Sequence, residues 1–308
     1  MKSFENNLNK AILLRGHMKL NSNALRLING LGDGLDGLLI DRYHRHVQVQ
    51  LLSLHWQEKI NEIVRILTLA MPIDYLIVKT RQGLEIKQEV LIGSQAQTIV
   101  EENGINFEVN LNDGLNCGLF LDMRRNRWLI SQACRGKKVL NCFAYTCSFG
   151  VYARHAGARE VINTDISRKI LEKGKNNFKI NSLPLIDGEF IKADSVSFLQ
   201  RAFKKRNTFD VIILDPPSFA RHEGKVFQVK RDLPKLIALA VAVLNPAGFL
   251  LVTTNYSEIS HADLERILSK GLNGRHVAQI QRVGQDEDFL GSNSFKESFL
   301  VGLWVKFL

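Results

Sequence analysis

The stretch VLNCFAYTCSFG occupies residues 139–150, and it is followed by INTDIS at 162–167 and FDVIILDPPSF at 209–219. Each segment is a run of apolar, β-prone residues that ends abruptly in small or acidic ones. Such a run is typical of a buried parallel strand that delivers polar groups to the edge of a sheet. Because ligands of open α/β sheets bind beyond the carboxyl ends of the strands, these endings predict one binding site.

The acidic residue that follows the second strand indicates the kind of ligand. Asp165 stands where a carboxylate can accept hydrogen bonds from two ribose hydroxyls. The sequence G-x-G-x-x-G, which cradles a pyrophosphate, is missing from the chain. The predicted ligand therefore has a nucleoside but no pyrophosphate, and S-adenosylmethionine meets this description. A doubly wound domain whose polar edge residues hold no ligand is the alternative interpretation.

Length and composition favour an enzyme of two domains. At 308 residues the chain has about twice the usual domain length of ~150 residues. The opening MKSFENNLNKAILLRGH has no apolar secretory segment, and no run of ~18 uncharged apolar residues predicts a membrane span. The cysteines form no C-x-x-C pair and no metal-ligand spacing; they are Cys117, Cys134, Cys142 and Cys147. We therefore expect a cytoplasmic protein with reduced thiols and no metal.

The net charge favours a polyanionic partner. Lys and Arg number 41 against 31 Asp and Glu, which gives a net charge of +10. Basic residues concentrate at 124–127, at 201–206 and at 221–231. A single run of this kind is more often a solvated helix face. Two of these runs flank the predicted ligand edge, which favours nucleic acid.

The first third of the chain predicts a lead-in helix over 1–22 and a small α/β domain over 23–110. Leu8, Ile12 and Leu13 lie on one side of the predicted helix. The glycines and aspartates of GLGDGLDG (30–37) predict a turn between strands, and a metal loop at Asp33 and Asp36 is the less favoured alternative. Further strands are predicted at 46–54, 74–79, 85–90 and 105–110, with a helix at 56–69.

After residue 110 the pattern changes to alternating strands and helices, which predicts a parallel sheet covered on both faces. The predicted strands are 138–142, 160–164, 189–193, 209–214 and 249–254, and the predicted helices are 149–156, 167–181, 228–244 and 261–270. A turn at 245–248 precedes the fifth strand. A final strand pair at 276–283 and 298–307 adds an antiparallel hairpin, which is the arrangement expected of a methyltransferase.

Several motifs occur together in this part of the chain, and a further one lies in the first third. They are CGLFLDMRRNRWLI (117–130), LNCFAYT (140–146), DIS (165–167) with NNFKIN (176–181), LDPPSF (214–219) and GDGLDGLLIDRY (32–43). In this combination the chain resembles the S-adenosylmethionine-dependent large-subunit ribosomal RNA methyltransferases, from about residue 25 to the C-terminus. Members of this family methylate cytosine C5 or guanine N7.

The resemblance implies a fold and a domain organisation. The expected fold class is α/β, with a class I methyltransferase sheet that is Rossmann-like, mostly parallel and closed by a C-terminal antiparallel hairpin. A smaller N-terminal α/β domain, 23–110, is expected to bind RNA, and 111–308 is the expected methyltransferase domain. Members of the cytosine branch carry a PUA module before the shared part. Only about 20 residues precede it here, so that module is expected to be absent.

The resemblance also assigns a cofactor site. The turn after the first strand is expected at the methionine moiety, Asp165 at the ribose, Ile166 at the adenine ring, and Asp194 and Ser195 at the adenine amino group. Helix capping by Ser167 and Ser195 is the alternative interpretation. The full set of expected cofactor-binding residues is Phe120, Leu121, Asp122, Arg124, Asn141, Phe143, Tyr145, Thr146, Ser148, Asp165, Ile166, Asp194, Ser195 and Asp215.

Cys147 and Arg124 bear directly on how the cofactor would be held. The family usually has a glycine where this chain has Cys147, and a glycine there allows a positive φ or a close approach to the ligand. The replacement leaves open an RNA- or cofactor-binding protein that has lost catalysis. Arg124 in FLDMRRNR (120–127) is expected to hold the methionine carboxylate through its guanidinium. A solvated basic helix start is the alternative for this segment.

The expected substrate-facing and catalytic residues are Asp215, Pro216, Pro217, Phe219 and Asn255. Two prolines after a strand fix an extended turn, which can present carbonyls and a ring to a base. The cytosine branch has a cysteine-bearing turn after the fifth strand, whereas this chain has Asn255 and Tyr256 there. Cytosine C5 needs a thiolate for activation and guanine N7 does not, so guanine N7 is favoured over cytosine C5. Capping of the next helix is the alternative role for Asn255.

The expected partner is ribosomal RNA, with no membrane, and a homodimer is left open. The N-terminal domain and the arginine runs are expected to form a basic groove that faces the cofactor edge. A small-molecule methyltransferase is disfavoured by the charge and by the resemblance.

Overall fold

The computed structural model describes residues 2–82, 85–114, 116–217, 219–222, 225–291 and 300–308. The chain divides into two compact units. The first comprises Met1–Asp122 with Asp286–Ser298, and the second comprises Met123–Gln285 with Phe299–Leu308. Within the described ranges, each helix is too short or too polar to cross a lipid bilayer.

The first unit contains a sheet with the strand order β1-β2-β3-β4-β5 and a separate hairpin, β6-β7. Strands β3 and β4 are parallel, and the other neighbours in the sheet are antiparallel. The elements are α1 (Lys2–His17), β1 (Ala24–Asn29), β2 (Leu38–Tyr43), β3 (His46–Leu51), α2 (Ile60–Ala70), β4 (Tyr75–Gln82), β5 (Glu85–Ile92), β6 (Gln97–Glu102) and β7 (Ile105–Asn110), with short 3-10 helices at Gly30–Asp33 and Leu54–Lys59.

Helix α1 is packed on the core of this unit through Leu8 and Ala11, which are buried at helical spacing. Leu13 is 63% exposed, so the predicted apolar side of the helix is wrong at that position. Arg15 lies one turn beyond Ala11, is 2% exposed, and donates through Nη2 to Oδ2 of Asp33 at 2.8 Å. The same oxygen accepts the Asn29 N–H at 2.6 Å. Asp33 therefore closes the predicted turn and neutralises a buried guanidinium.

Strand β6 was not predicted, and its composition explains why. Its sequence QTIVEE places Val100 in the core at 0% exposure, while the neighbouring Ile99 is 50% exposed. Such a strand has a weak alternation of apolar and polar residues. Its pairing with β7 identifies it as a strand.

The second unit contains a sheet in which, among the described residues, seven strands have the order β10-β9-β8-β11-β14-β16-β15. Neighbours from β10 to β14 are parallel, and β16 is antiparallel to both β14 and β15. The elements are α3 (Arg124–Ser131), β8 (Lys138–Cys142), α4 (Ser148–His155), β9 (Glu160–Asp165), α5 (Arg168–Ile180), β10 (Phe190–Lys192), α6 (Ser195–Lys204), β11 (Phe209–Leu214), β12 (Phe219–His222), β13 (Lys225–Gln228), α7 (Val229–Ala242), β14 (Leu244–Thr254), α8 (His261–Gly271), β15 (Val277–Gly284) and β16 (Val301–Phe307), and a 3-10 helix, Leu121–Met123, precedes α3.

This strand order confirms the predicted fold class, a mostly parallel α/β sheet with a C-terminal antiparallel hairpin. The central strands are buried on both faces, as their continuous apolar runs predict. Helix α6 was not among the predicted helices, and two further details differ from the prediction. The hairpin β12-β13 follows the Asp-Pro-Pro corner. Residues 245–248, predicted as a turn before the fifth strand, lie within β14, where its register with β11 shifts.

The parallel strands give the sheet two edges with different roles. The carboxyl edge contains the ends of β8, β9, β10 and β11, and the amino edge contains the residues that precede these strands. Helix α6 starts after β10 and leads back to the start of β11, so it ends at the amino edge. The basic run at 201–206 therefore lies opposite the predicted ligand edge and does not flank it.

Candidate cofactor and substrate site

The turn between β8 and α4 has an unusual backbone. Phe143, Tyr145 and Cys147 have φ angles of 56°, 48° and 60°, so every second residue is left-handed. The N–H groups of this turn are bonded within the protein, and Cys147 donates to Ala144 O at 2.7 Å. Ala144 donates to Thr164 O at 2.9 Å, and the N–H groups of Phe143 and Tyr145 are also bonded within the protein. The turn is thus held firmly against β9.

Asp165 joins this turn to the end of β9. Its Oδ2 accepts the Tyr145 N–H at 3.0 Å and its Oδ1 accepts the Ser167 N–H at 2.9 Å. Each carboxylate oxygen has two lone pairs, so the half-buried group retains the capacity to accept further hydrogen bonds. Ile166, beside it, is 43% exposed. An acceptor and an apolar side chain are adjacent at the carboxyl edge, as a ribose and an adenine ring require.

Two predicted cofactor residues are turned into the protein. The side-chain amide of Asn141 donates to Oδ1 of Asn163 at 3.0 Å, and Asn141 is 1% exposed. Ser195 is 2% exposed, and its Oγ accepts the Phe143 N–H at 3.3 Å. These side chains tie β8 to β9 and to the start of α6. Their assignment as cofactor-binding residues stays a prediction.

The N-caps of α5 and α6 show which of Ser167 and Ser195 caps a helix. Ser167 caps α5 by accepting the Ile170 N–H at 3.3 Å. Asp194, not Ser195, is the N-cap of α6, because its Oδ2 accepts the Ser197 N–H at 2.8 Å. The expectation that Ser195 caps the helix is therefore wrong. Asp194 is half-buried and lies at the carboxyl edge, so capping does not exclude a contact with the ligand.

The remaining residues of the turn differ in exposure. Thr146 is 1% exposed, and its carbonyl accepts the side-chain amide of Asn177 at 3.0 Å. Ser148 is half-buried at the start of α4. Cys147 is fully buried and lies against Gly174 of α5. The thiol that replaces the expected glycine is thus directed at a helix.

The segment before β8 is divided between the two units. Phe120, Leu121 and Asp122 belong to the first unit, and Phe120 is 38% exposed. Arg124 opens α3 in the second unit and is 3% exposed, and Arg127 is 0% exposed. Since only Arg125 of these arginines lies at the surface, the interpretation of this run as a solvated helix face is wrong.

The Asp-Pro-Pro corner is fixed from the neighbouring strand. Thr253 is fully buried, and its Oγ1 donates to Oδ1 of Asp215 at 2.7 Å. Strands β11 and β14 pair with Leu214 opposite Val252, so this register brings the next residues, Asp215 and Thr253, side by side. Pro216 is buried and Pro217 is exposed. Ser218 and the side chain of Phe219 lie outside the described residues. The sequence analysis did not identify Thr253, although the strand register would have found it.

Asn255 and Tyr256 follow β14 at the same edge. Asn255 is exposed, and the cap of α8 is Ser260, which forms a capping box with Asp263. The expectation that Asn255 caps this helix is therefore wrong. Lys230 lies with Nζ 5.6 Å from the centre of the Tyr256 ring and forms an ion pair with Glu258 at 2.7 Å. Neither Lys230 nor Glu258 was singled out in the sequence, because they are distant along the chain.

All four cysteines of the chain are buried and protonated at neutral pH. Burial raises the pKa of Cys117 to about 11 and the pKa values of Cys134 and Cys142 to about 12. Burial, with a contribution from the nearby charge of Asp165, raises the pKa of Cys147 well above its usual value. None of these thiols is available as a thiolate nucleophile. In the described residues no cluster of His, Cys, Asp and Glu suits a metal ion.

The fold and this edge define an S-adenosylmethionine-dependent methyltransferase, and a family model with that description matches residues 36–285. The chain is 34% identical over 284 residues to ribosomal RNA large subunit methyltransferase I of Photobacterium profundum, a match that covers 89% of this chain and 72% of the relative. The enzyme of the same name from Aliivibrio fischeri is 33% identical over 309 residues, with coverages of 96% and 78%. The chain therefore belongs to the S-adenosylmethionine-dependent large-subunit ribosomal RNA methyltransferase family.

Solved structures agree with this assignment. A protein assigned as an S-adenosylmethionine-dependent methyltransferase from Streptococcus mutans superimposes with a TM-score of 0.87 at 28% identity, covering 99% of this chain and 81% of that chain. A structure assigned as a methyltransferase in complex with S-adenosylhomocysteine gives a TM-score of 0.89, with the same identity and coverages. The predicted family, enzyme class and cofactor are confirmed.

Proposed function

We propose that this enzyme methylates a heteroatom of a purine in large-subunit ribosomal RNA, with guanine N7 as the first choice. The names of its relatives and the net charge of +10 support ribosomal RNA as the substrate. The choice of guanine N7 over cytosine C5 is supported by one observation: all four cysteines are buried, and burial raises the pKa of each thiol.

The chemistry of the two candidate atoms differs in what the protein must supply. Cytosine C5 becomes nucleophilic when a thiolate adds at C6, and a proton must later leave C5. Guanine N7 has a free lone pair and no proton to lose. A site without an accessible thiolate can therefore serve N7 and not C5. In this chain Asn255 and Tyr256 follow the fifth parallel strand, where the cytosine branch is expected to carry its cysteine.

The residues of the carboxyl edge fit the cofactor. Asp165 has acceptor capacity for ribose hydroxyls, and Ile166 offers an apolar surface for adenine. When bound, S-adenosylmethionine supplies a methyl carbon that is activated by its sulfonium. Phe120, Leu121, Asp122 and Arg124 stay predicted contacts of the cofactor.

The protein's own part in the reaction is positioning and exclusion of water, because methyl transfer from a sulfonium is an in-line displacement. Asp215 is held by Thr253, and the prolines after it fix the corner that faces the base. In our proposal Asn255 hydrogen-bonds to the base edge, and Tyr256 or Phe219 stacks on the base. Lys230 fixes the Tyr256 ring by its cation–π contact.

The test is a tritium-transfer assay with large-subunit ribosomal RNA from a strain that lacks this protein, followed by mass spectrometry of the nucleosides. We expect 7-methylguanosine as the product and no transfer to RNA from the parent strain, which is already modified. Single Cys→Ala variants at the four cysteine positions are expected to keep this activity. If 5-methylcytidine is the only product and one of these variants abolishes it, the choice of guanine N7 is wrong.

A further inference from the structure

Three loops meet at the amino edge of the sheet in the second unit. They precede the neighbouring strands β8, β9 and β11. Lys138 joins them, because its Nζ donates to Oδ1 of Asn207 at 2.9 Å and pairs with Oε2 of Glu160 at 2.9 Å. The Arg159 N–H donates to Lys137 O at 2.8 Å. The residues before these strands therefore share one rigid surface.

This surface is strongly basic. We call it the amino-edge surface and define it by six exposed basic residues: Arg135, Lys137, Arg159, Lys204, Lys205 and Arg206. Within the described part of the chain, none of the six forms a side-chain ion pair. The acidic neighbours are already engaged, since Glu160 pairs with Lys138 and Asp210 accepts the Lys138 N–H at 2.8 Å. An excess of positive charge remains, because among the described residues these six and Lys138 face only the carboxylates of Glu160 and Asp210.

The titration of Asp210 agrees with this arrangement. Burial acts against ionisation of Asp210, yet its hydrogen bonds from the Lys138 N–H and from Asn245 and the charges of Lys137 and Arg159 hold its pKa below the usual value. The two cations that contribute come from different loops. The positive charges of Lys137 and Arg159 therefore act on the same carboxylate, that of Asp210.

Helix stability does not account for the whole cluster. Lys204 and Lys205 lie at the end of α6, where the helix dipole stabilises cations. Arg135, Lys137 and Arg159 lie in loops, where no such stabilisation is available. An aromatic residue adds to the pattern, because Phe203 is 59% exposed beside Lys204. Cations interleaved with an exposed ring are typical of surfaces that bind the backbone and bases of single-stranded nucleic acid.

We propose that the amino-edge surface binds phosphates of an RNA segment that flanks the methylated nucleotide. This inference rests on the proposed function. Strands of five or six residues at about 3.3 Å each place the surface roughly 16–20 Å from the carboxyl edge. It is therefore too distant to touch the reacting base. It contributes to RNA binding and leaves the chemical step and cofactor binding unchanged.

The experiment compares the wild type with a charge-removing variant, K204Q/K205Q/R206Q, and with a charge-retaining control, K204R/K205R/R206K. Affinity for large-subunit ribosomal RNA is measured from 0.05 to 0.3 M salt, with the S-adenosylmethionine Kd and the transfer rate at saturating RNA. We expect the charge-removing variant to lose about one unit of log–log salt slope per phosphate contact, and affinity on the order of 100-fold near 0.15 M salt. The control is expected to match the wild type.

Three other results would contradict the inference, and they differ in whether the proposed function survives. If the wild type methylates ribosomal RNA and the charge-removing variant keeps its affinity and salt slope, the amino-edge surface is not an RNA site and the proposed function stands. If the variant is impaired on assembled ribosomal particles but not on protein-free RNA, the surface binds a protein, and our inference is wrong. If the wild type binds S-adenosylmethionine but transfers no methyl group to ribosomal RNA, the proposed function fails and this inference fails with it.

Discussion

The thiol of Cys147 fills the space beside Gly174, and a Cβ built on Gly174 would overlap Sγ and lie 3.0 Å from the Cβ of Cys147. Cys147 has a φ angle of 60°, a conformation that favours glycine. The two positions are therefore coupled: a side chain is present at 147, where the resemblance predicted a glycine, and it packs against a glycine on the facing helix.

The first prediction follows from this packing. Gly174→Ala is expected to destabilise the fold by roughly 1–3 kcal/mol, because the added methyl group overpacks the contact. Cys147→Gly in the same chain is expected to restore most of that loss. Urea unfolding of the two single variants and the double variant measures the coupling. Gly16→Ala in α1, which has open space around its Cβ, is the matched control and is expected to be neutral or stabilising. Additive effects of the two substitutions would contradict the contact.

The second prediction concerns the same cysteine and the cofactor. Since the thiol is directed at α5, Cys147→Gly is expected to change the S-adenosylmethionine Kd by less than about threefold, which is below ~0.7 kcal/mol. Isothermal titration measures this directly. A large gain in affinity for the glycine variant would mean that Cys147 obstructs the ligand, and the interpretation of the enzyme as catalytically weakened would then gain support.

The third prediction concerns the ribose. Asp165→Ala is expected to weaken S-adenosylmethionine binding by about 1.5–3 kcal/mol, the usual contribution of hydrogen bonds to a charged group. Asp165 also accepts the Tyr145 and Ser167 N–H groups, so Asp165→Asn, which keeps an acceptor, is expected to lose less. Asp187→Ala, an exposed acidic residue before β10, is the matched control. An unchanged Kd in a folded Asp165→Ala protein would remove the ribose assignment.

The predictability of this fold varies from element to element for physical reasons. Strands β8 and β11 have the predicted bounds, because a strand buried on both faces has a continuous apolar run that ends at the sheet edge. Strand β6 and the β12-β13 hairpin were missed, since neither has such a run. Their existence depends on pairing partners, which the local sequence does not specify.

The site was predictable where position along a strand decides the role. Asp165 and Asp215 lie at strand ends on the carboxyl edge, as their positions after apolar runs predicted. The partners of these groups were not predictable in the same way. Thr253 reaches Asp215 through strand register, and Asn141 pairs with Asn163 across two strands. Arg124 and Arg127 are buried by tertiary packing, which a run of basic residues in the sequence does not predict.

The fourth prediction concerns alkaline pH. Burial raises the pKa of Cys134 from 9.0 to about 12, and its thiol donates to Ile130 O at 3.0 Å. Below about pH 9 both states keep the proton, so the full stability is present. Between pH 9 and 12 the unfolded chain loses the proton and the folded protein keeps it, which lowers the free energy of unfolding by up to about 1.4 kcal/mol per pH unit.

The measurement compares the wild type with Cys134→Ala by urea unfolding between pH 8 and pH 10.5. The alanine variant lacks this titration, so its stability is expected to decline less steeply, and the gap between the two proteins should narrow as the pH rises. If the free energies of unfolding of the two proteins fall in parallel as the pH rises, the Cys134 thiol ionises equally in the folded and unfolded states, and the prediction is wrong.

The last prediction concerns the contact between Thr253 and Asp215. Thr253→Val keeps the shape of the buried side chain but removes the hydroxyl that donates to Oδ1 of Asp215 at 2.7 Å. Loss of a hydrogen bond to a charged group costs about 1.5–3 kcal/mol, so we expect kcat for ribosomal RNA to fall roughly 10- to 150-fold if Asp215 must be held in place for transfer. Thr253→Ser retains the hydroxyl and is expected to restore kcat. Steady-state kinetics and thermal unfolding of both variants separate positioning from stability. A Thr253→Val protein that unfolds earlier but keeps its kcat would show that the contact supports the fold alone.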